Sequence, residues 1–457
     1  MSDASATAPA GNVSKRGIWS WMLFDWAAQP FHTLILTFIF APYFAGYVAA
    51  DSVTGQVQWG YAAAIAGVII AFLSPIFGAI SDATGPRKPW IFLFSILAVA
   101  GSWSLWWGTP GGSDSAVVWA LGAFIIAMFG FEFAGVFINA MMPDLVPREK
   151  LGRLSGNSWA LGYVAGLLTL IIVLATMASN DEGNTLLGSP PLFGIDAAAK
   201  EGERAVGPLT AVWYIVFVIP LFLFTPDTIK RVAVSGAVQK GLSDLMVTLR
   251  RLPSNKSLFA YLASSMFYRD ALNGLYTFGG IYAKGVLDWS IVQIGIFGIL
   301  ANITGVVGAY FGGRMDDRFG PKAVVTVSII VLIVSCATII STSNDSAFFV
   351  PVGTGSAIPD IVFYVCGGLI GAAGGALQAA SRTLMADQAE PGRMTEAFGL
   401  YALSGKATAF MAPFLIAVFT DISDSQRVGV VPVVLLFLVG LFLLPMVRQH
   451  GHAPKVE

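Results

Sequence analysis

The stretch GAISDATGPRK, Gly78 to Lys88, comes back as GRMDDRFGPKA, Gly313 to Ala323. The copies agree at Gly78/Gly313, Asp82/Asp317, Gly85/Gly320 and Pro86/Pro321, and both keep a basic residue at Arg87/Lys322, always 235 residues apart. Each copy lies in a polar break between long apolar runs. A repeat at that spacing in a 457-residue chain divides it into two like halves.

Outward from the two copies, the chain is dominated by apolar residues: 56% are hydrophobic, 12% are charged, and the mean hydropathy is +0.73. A soluble globular domain carries about twice that share of charge. A helix needs about 20 apolar residues to cross about 30 Å of hydrocarbon. Such runs are read at Trp19 to Val48, Gln58 to Ser81, Pro89 to Trp107, Ala116 to Met142, Leu154 to Met177 and Pro208 to Phe224. The second half supplies Ser257 to Lys284, Ile291 to Gly313, Ala323 to Ile340, Pro359 to Asp387, Ala397 to Thr420 and Val428 to Val447. The expected fold is an all-α membrane protein of twelve transmembrane helices, in two six-helix bundles related by a pseudo-two-fold axis along the membrane normal. The repeated motif falls between the second and third helix of each half.

The expected organisation is a disordered tail at 1–18, bundles at 19–225 and 257–447, a linker at 226–256 and a second tail at 448–457. In the linker, Leu242, Leu245, Met246 and Leu249 recur at helical spacing beside Arg250 and Arg251, which predicts an amphipathic helix on the bilayer surface. The Lys and Arg residues gather in the loops on the side of the termini, for instance Arg87, Lys88, Arg148, Lys150, Arg153, Arg314 and Arg318. Lys200, Arg204, Lys284 and Arg427 fall on the other side. By the positive-inside rule both termini are cytoplasmic. No metal-ligand spacing, phosphate-cradling loop or nucleic-acid motif is present, and His450-Gly-His452 is too short a signal for a metal site. No enzymatic constellation and no cofactor are expected. Cys336 and Cys366 fall in apolar spans and read as inert filler.

The repeated G-x-x-x-D-x-x-G-P-[RK] motif resembles the signature of the major facilitator superfamily over the whole chain. FDWAAQPF in the first helix, PREKLGRLSGNSWALGYVAG (Pro147 to Gly166) and EAFGLYALSGKATAFMAPF (Glu396 to Phe414) are similar to the vacuole effluxer family. Characterised fungal members of that family export amino acids, and its Asn-Ser is here Ala28-Gln29. The resemblance implies a carrier working by alternating access, with helices 1, 4, 7 and 10 around a central cavity. It places the chain in a bacterial inner membrane as a monomer, its partners a small-molecule substrate and the lipid bilayer.

A charge at mid-bilayer costs about 2.5–3.5 kcal/mol on insertion scales, so such residues need a use. Six lie away from the helix ends: Asp25, Glu132, Arg269, Asp270, Arg382 and Lys406. Helical spacing adds Gln29 and His32 beside Asp25, Asn139 beside Glu132, Asn273 and Tyr276 beside Arg269, and Gln378 beside Arg382. Pro30 is expected to bend the first helix. Trp19, Trp21, Trp26 and Phe31 read as interface anchors, or as faces on which a sugar could stack. Three carboxylates against three bases suit a small polar or zwitterionic solute such as an amino acid, with coupling to protons through Asp25 or Glu132. Arg382 is then the residue expected to take the substrate's carboxylate. The rival readings are a proton-coupled sugar or polyol carrier, a carrier for an amphiphile, and a scaffold without transport.

The resemblance also implies a latch on the cytoplasmic side. Asp82 is expected at the start of helix 11 with Arg87 paired to Asp144. The mirror image has Asp317 at the start of helix 5, with Arg318 or Lys322 near Asp387.

Overall fold

The computed structural model describes residues 13–111, 113–179, 183–228, 234–287, 289, 291–353, 355–390 and 392–449. The rest of both tails, with His450 and His452, and Lys230 and Arg231 of the linker lie outside the described residues.

The first half builds α1 (Lys15–Val48), α2 (Ser52–Thr84), α3 (Lys88–Ser104), α4 (Asp114–Leu145), α5 (Leu151–Thr176) and α6 (Glu201–Phe224). A linker helix, Val234–Arg251, follows. The second half builds α7 (Lys256–Leu287), α8 (Ile291–Phe319), α9 (Pro321–Ile340), α10 (Ile358–Gln388), α11 (Met394–Thr420) and α12 (Gln426–Met446). Among the described residues eleven helices are long and apolar enough to cross a membrane. The twelfth, α7, has the length at 32 residues, but Arg269, Asp270 and Asn273 at its middle dilute its apolar character.

Several boundaries differ from the sequence reading. The Ser14 hydroxyl accepts from the Gly17 amide and caps α1, so residues 15–18, expected in a disordered tail, are helical. Beyond Pro30, which has no amide to give, α1 rewinds as a π-helix over Phe31–Phe38. The start of α6 falls at Glu201 instead of Pro208, with Glu201 and Glu203 in its first turn, where the helix dipole favours them. A further departure is in α11, which is two segments, Met394–Ala407 and Met411–Ser423, broken at residues 408–410. The repeated motif turns where its glycines allow: Gly85 (φ +101°) and Gly320 (φ +84°) occupy the left-handed region.

The halves meet along two mirrored seams, α2 on α11 and α5 on α8. Both are lined by glycine. A Cβ on Gly78 would meet the Thr395 carbonyl and the Glu396 Cα, and one on Gly399 would meet the backbone at Ser74 and Pro75. Gly152 and Gly156 lie likewise against Gly313 and the Ala309 carbonyl. Without a hydrophobic drive between helices in lipid, such close backbone approach is what packing gains from. Gly371 and Gly375 serve the same end inside the second half, against Ala301 and Gly305 of α8. The far part of α1 and the second segment of α11 pack within their own halves, so the bundles part toward the face away from the termini.

The linker helix does not simply lie on lipid as expected. Gly241 and Leu245 dock on α2, with Gly241 against the Ala79 carbonyl, while Leu242, Met246 and Leu249 stay exposed. Its Asp244 and Thr248 hold Arg393 at the start of α11.

Candidate functional site

Two ion pairs cross between the halves at the middle of the bundle. Arg382 of α10 donates from Nη2 to Asp25 Oδ2 at 3.0 Å, from Nη1 to Asn139 Oδ1 at 3.0 Å, and from Nε to the Ser155 hydroxyl at 3.1 Å. Its guanidinium lies 5.6 Å from the ring centroids of both Trp21 and Trp159. The Arg382 side chain is 6% exposed, and every side of its fork is taken. Lys406, at the end of the first α11 segment, donates to Glu132 Oε1 at 2.8 Å. This second pair is more open, with side chains 22% and 24% exposed, and His32 stands in the field of both partners.

The remaining expected residues sort around these pairs. Gln29 faces Gly162 and Gly166 of α5 and donates to Thr33, so it packs at the α1–α5 contact. Gln378 donates to the Tyr163 hydroxyl at 2.8 Å, which ties α10 to α5. Asn273 and Tyr276 are exposed on α7. Arg269 donates to the Tyr401 carbonyl and lies 4.1 Å from the centroid of that ring, in room left by Gly405. Asp270 belongs to none of this. It is buried, and its Oδ2 accepts from the Ala412 amide at 2.9 Å, capping the second segment of α11. Thus the carboxylates that face bases across the midline all come from the first half, and the bases from the second.

The aromatic residues of α1 are corrected as well. Of Trp19, Trp21, Trp26 and Phe31, only Trp19 is exposed; Trp21 is buried with its indole donating to the Ile138 carbonyl, Trp26 stacks on Trp213, and Phe31 stacks on Phe131.

The latch is closed. Asp82 accepts from the Thr395 and Glu396 amides at 3.1 and 2.8 Å, at the first turn of α11, and Arg87 bridges Asp144 and the Thr395 hydroxyl. In the mirror copy Asp317 accepts from the Arg153 amide at 3.1 Å and pairs with the Arg153 side chain. The mirror breaks at the next step. Lys322 donates to the Val447 and Pro445 carbonyls at the end of α12, where orphan carbonyls and the helix dipole favour a cation, and Arg318 lies over Phe319. Asp387 pairs with Arg148 instead, a residue of the opposite half. Arg148, Arg153, Ser155, Trp159 and Tyr163 all lie in the Pro147–Gly166 stretch that carries the family resemblance, which is the signal in the sequence that points to them.

Asp82→Ala should loosen the latch. A lost helix cap is worth about 0.5–2 kcal/mol, which shifts a closed-to-open ratio by about two- to thirty-fold. Thiol labelling at the seam below Gly78 should rise by that factor, and Asp317→Ala should reproduce it; unchanged labelling in both would show that the caps do not hold the seam.

Comparison with known proteins agrees with this architecture. A family profile described as "Vacuole effluxer Atg22 like" matches residues 47–454. The uncharacterised MFS-type transporter YxiO of Bacillus subtilis is 26% identical over 438 residues, 94% of each chain. Autophagy-related protein 22 of Cryptococcus neoformans is 22% identical over 67% of this chain and 52% of its own, so the chain spans about half the length of that fungal relative. Among solved structures, the proton:xylose symporter XylE superposes with a TM-score of 0.68 at 13% identity, covering 95% of both chains. The human organic anion transporter MFSD10 gives 0.67 at 18% identity, over 94% of this chain and 99% of its own. With a profile covering most of its length and the helical architecture of these carriers, the chain belongs to the vacuole effluxer Atg22-like family and is a multi-pass membrane transporter of the major facilitator type.

Proposed function

We propose that the protein carries a small zwitterion, an amino acid or a close relative, by alternating access, and that Lys406 and Glu132 are the poles of its binding site. The observation that supports this is the more open of the two midline pairs: an ammonium from one half and a carboxylate from the other, 2.8 Å apart and partly exposed. A substrate carboxylate replaces Glu132 at Lys406 while its amine replaces Lys406 at Glu132. Each charge leaves one partner for another, so desolvation is offset twice. Such a ligand bridges the halves and favours the occluded state. Arg382, expected from the sequence to meet the substrate's carboxylate, is saturated by Asp25, Asn139 and Ser155 in this state and acts as a strut beside the site. A proton on Glu132 would compete with the amine, the simplest route to proton coupling. The latch face is cytoplasmic in this reading, by the distribution of Lys and Arg, and the membrane is a bacterial inner membrane with the carrier working as a monomer.

The test is flux into proteoliposomes, screened over amino acids, their amides, their decarboxylated amines, and sugars. Lys406→Met should abolish discrimination between acid and amide, and Glu132→Gln between amino acid and its deaminated acid, each by about tenfold or more. Sugar flux untouched by either substitution would overturn the zwitterion reading, as would the absence of any solute flux.

A further inference from the structure

We propose that Asp316 is a proton-binding site that sets the closure of the latch, separate from the charged pairs at the midline. The proposal rests on the alternating-access reading and adds a ligand, the proton, at a place where the repeat itself departs from symmetry.

In the first copy of the motif the residue before the capping Asp82 is Ser81; in the second copy the residue before the capping Asp317 is Asp316. Both are buried at the seam between the halves, Ser81 at 0% and Asp316 at 1% exposure. The second copy thus places a carboxyl group where the first keeps a neutral hydroxyl. Its position leaves it little support as an anion. Gly152 of α5 lies so close that a Cβ there would meet the Asp316 Cβ and Cγ. Oδ2 has no hydrogen-bond partner, and the Thr383 hydroxyl of α10 is within bonding reach of the carboxyl group.

The charged groups that face it are both carboxylates, Asp317 on its own helix and Asp387 on α10. The cations at this seam are directed elsewhere: Arg153 of α5 to Asp317, Arg148 before α5 to Asp387, and Arg314 to Asn157 and the Tyr310 carbonyl. Burying an unpaired carboxylate beside two others is the arrangement that most disfavours charge. With a proton, Asp316 is neutral, and the seam closes over it as it closes over Ser81. When the seam opens, water reaches the carboxyl group and the proton leaves to the solution on that side.

The closed state therefore holds one proton more than the open state, and rising pH favours opening. For a one-proton linkage the open-to-closed ratio rises by up to tenfold per pH unit between the two states' titration ranges.

The experiment uses the full chain in lipid nanodiscs without substrate, so its outcome is independent of the zwitterion reading. Spin labels go on Glu149→Cys and Glu390→Cys, exposed positions on the two halves at the latch face, with the buried Cys336 and Cys366 replaced by Ala. Distances are measured by double electron–electron resonance from pH 5 to pH 9. The wild-type background should pass from one short distance to a mixture with a longer one as pH rises. Asp316→Asn should hold the short distance throughout, with less than a twofold change in the ratio. Asp316→Ser, which restores the residue of the first copy, should do the same and guards against a fault particular to Asn. A pH response that survives in both variants overturns the proposal, and so does a wild-type ratio that does not move with pH.

Discussion

Arg382→Met is expected to be the most damaging single change at the midline, lowering stability by about 3–5 kcal/mol and abolishing transport. The guanidinium is the common partner of Asp25, Asn139 and Ser155, and it is almost fully buried. Its removal leaves the Asp25 carboxylate without its cation, which is the costly way to break a buried pair; removing both charges is far cheaper. The double variant Asp25→Asn, Arg382→Gln should therefore recover most of the stability, with the two amides able to bond each other, while transport stays impaired. Unfolding in nanodiscs read by intrinsic fluorescence, alongside flux in proteoliposomes, checks both parts. Arg382→Lys adds a separate decision. If it weakens binding of an amino acid but spares the amide, Arg382 meets the substrate's carboxylate after all in another state of the cycle. Equal losses for acid and amide assign it the structural role that the geometry gives it here.

The second large effect is expected from a single methyl group. In Gly78→Ala the new Cβ falls on the Thr395 carbonyl and the Glu396 Cα, and in Gly156→Ala on the Ala309 carbonyl; in both cases the obstacle is backbone and cannot rotate away. Overpacking of this kind costs about 1–3 kcal/mol. The clash exists only when the seams are closed, so the cost falls on the closed state and shifts the closed-to-open ratio by about five- to 150-fold. Thiol labelling at the latch face should increase accordingly, and flux should fall because the carrier can no longer complete its cycle. The control is Gly122→Ala on α4, where a Cβ meets nothing within 4 Å. There the gain in helix propensity, about 1 kcal/mol, stands alone, and the variant should be at least as stable as the parent. Two variants of the same chemistry with opposite signs would locate the seams as the moving contacts.

Much of the architecture was legible from local features. Long apolar runs mark the helices because lipid offers the backbone no partners, and the returning motif marks the halves. The six intramembrane charges announced themselves by their cost. The capping roles of Asp82 and Asp317 follow from the motif's resemblance to the superfamily signature, and both carboxylates accept the amides expected of them. The role of Asp270 depends on a break in α11 whose mark in the sequence is Pro413, a residue without an amide that suits the first turn of a new helix. Thr408, Ala409 and Phe410 are all residues a helix accepts, and only the turn at this point exposes the Ala412 amide that Asp270 caps. The pairing of Asp387 was misread for a related reason. The motif offers Arg318 or Lys322 for it, but α12 ends beside Lys322 and claims it with two carbonyls, Arg318 lies over Phe319, and Arg148 reaches Asp387 from the opposite half.

The membrane-spanning helices, the division into two halves and the set of charges that must be sheltered each follow from composition and spacing along one chain. Which charge meets which was decided by the tertiary structure alone. Asp25, Glu132 and Asp270 are equivalent partners for Arg382, Lys406 and Arg269 until glycine seams bring particular helices within bonding distance. The same contacts that join α5 to α8 place Ser155 under Arg382 and press Gly152 against Asp316. Electrostatic attraction is short-ranged in its consequences here: a carboxylate buried one helix turn away from a cation is stabilised only if the backbone lets it reach, and that is a property of how helices pack.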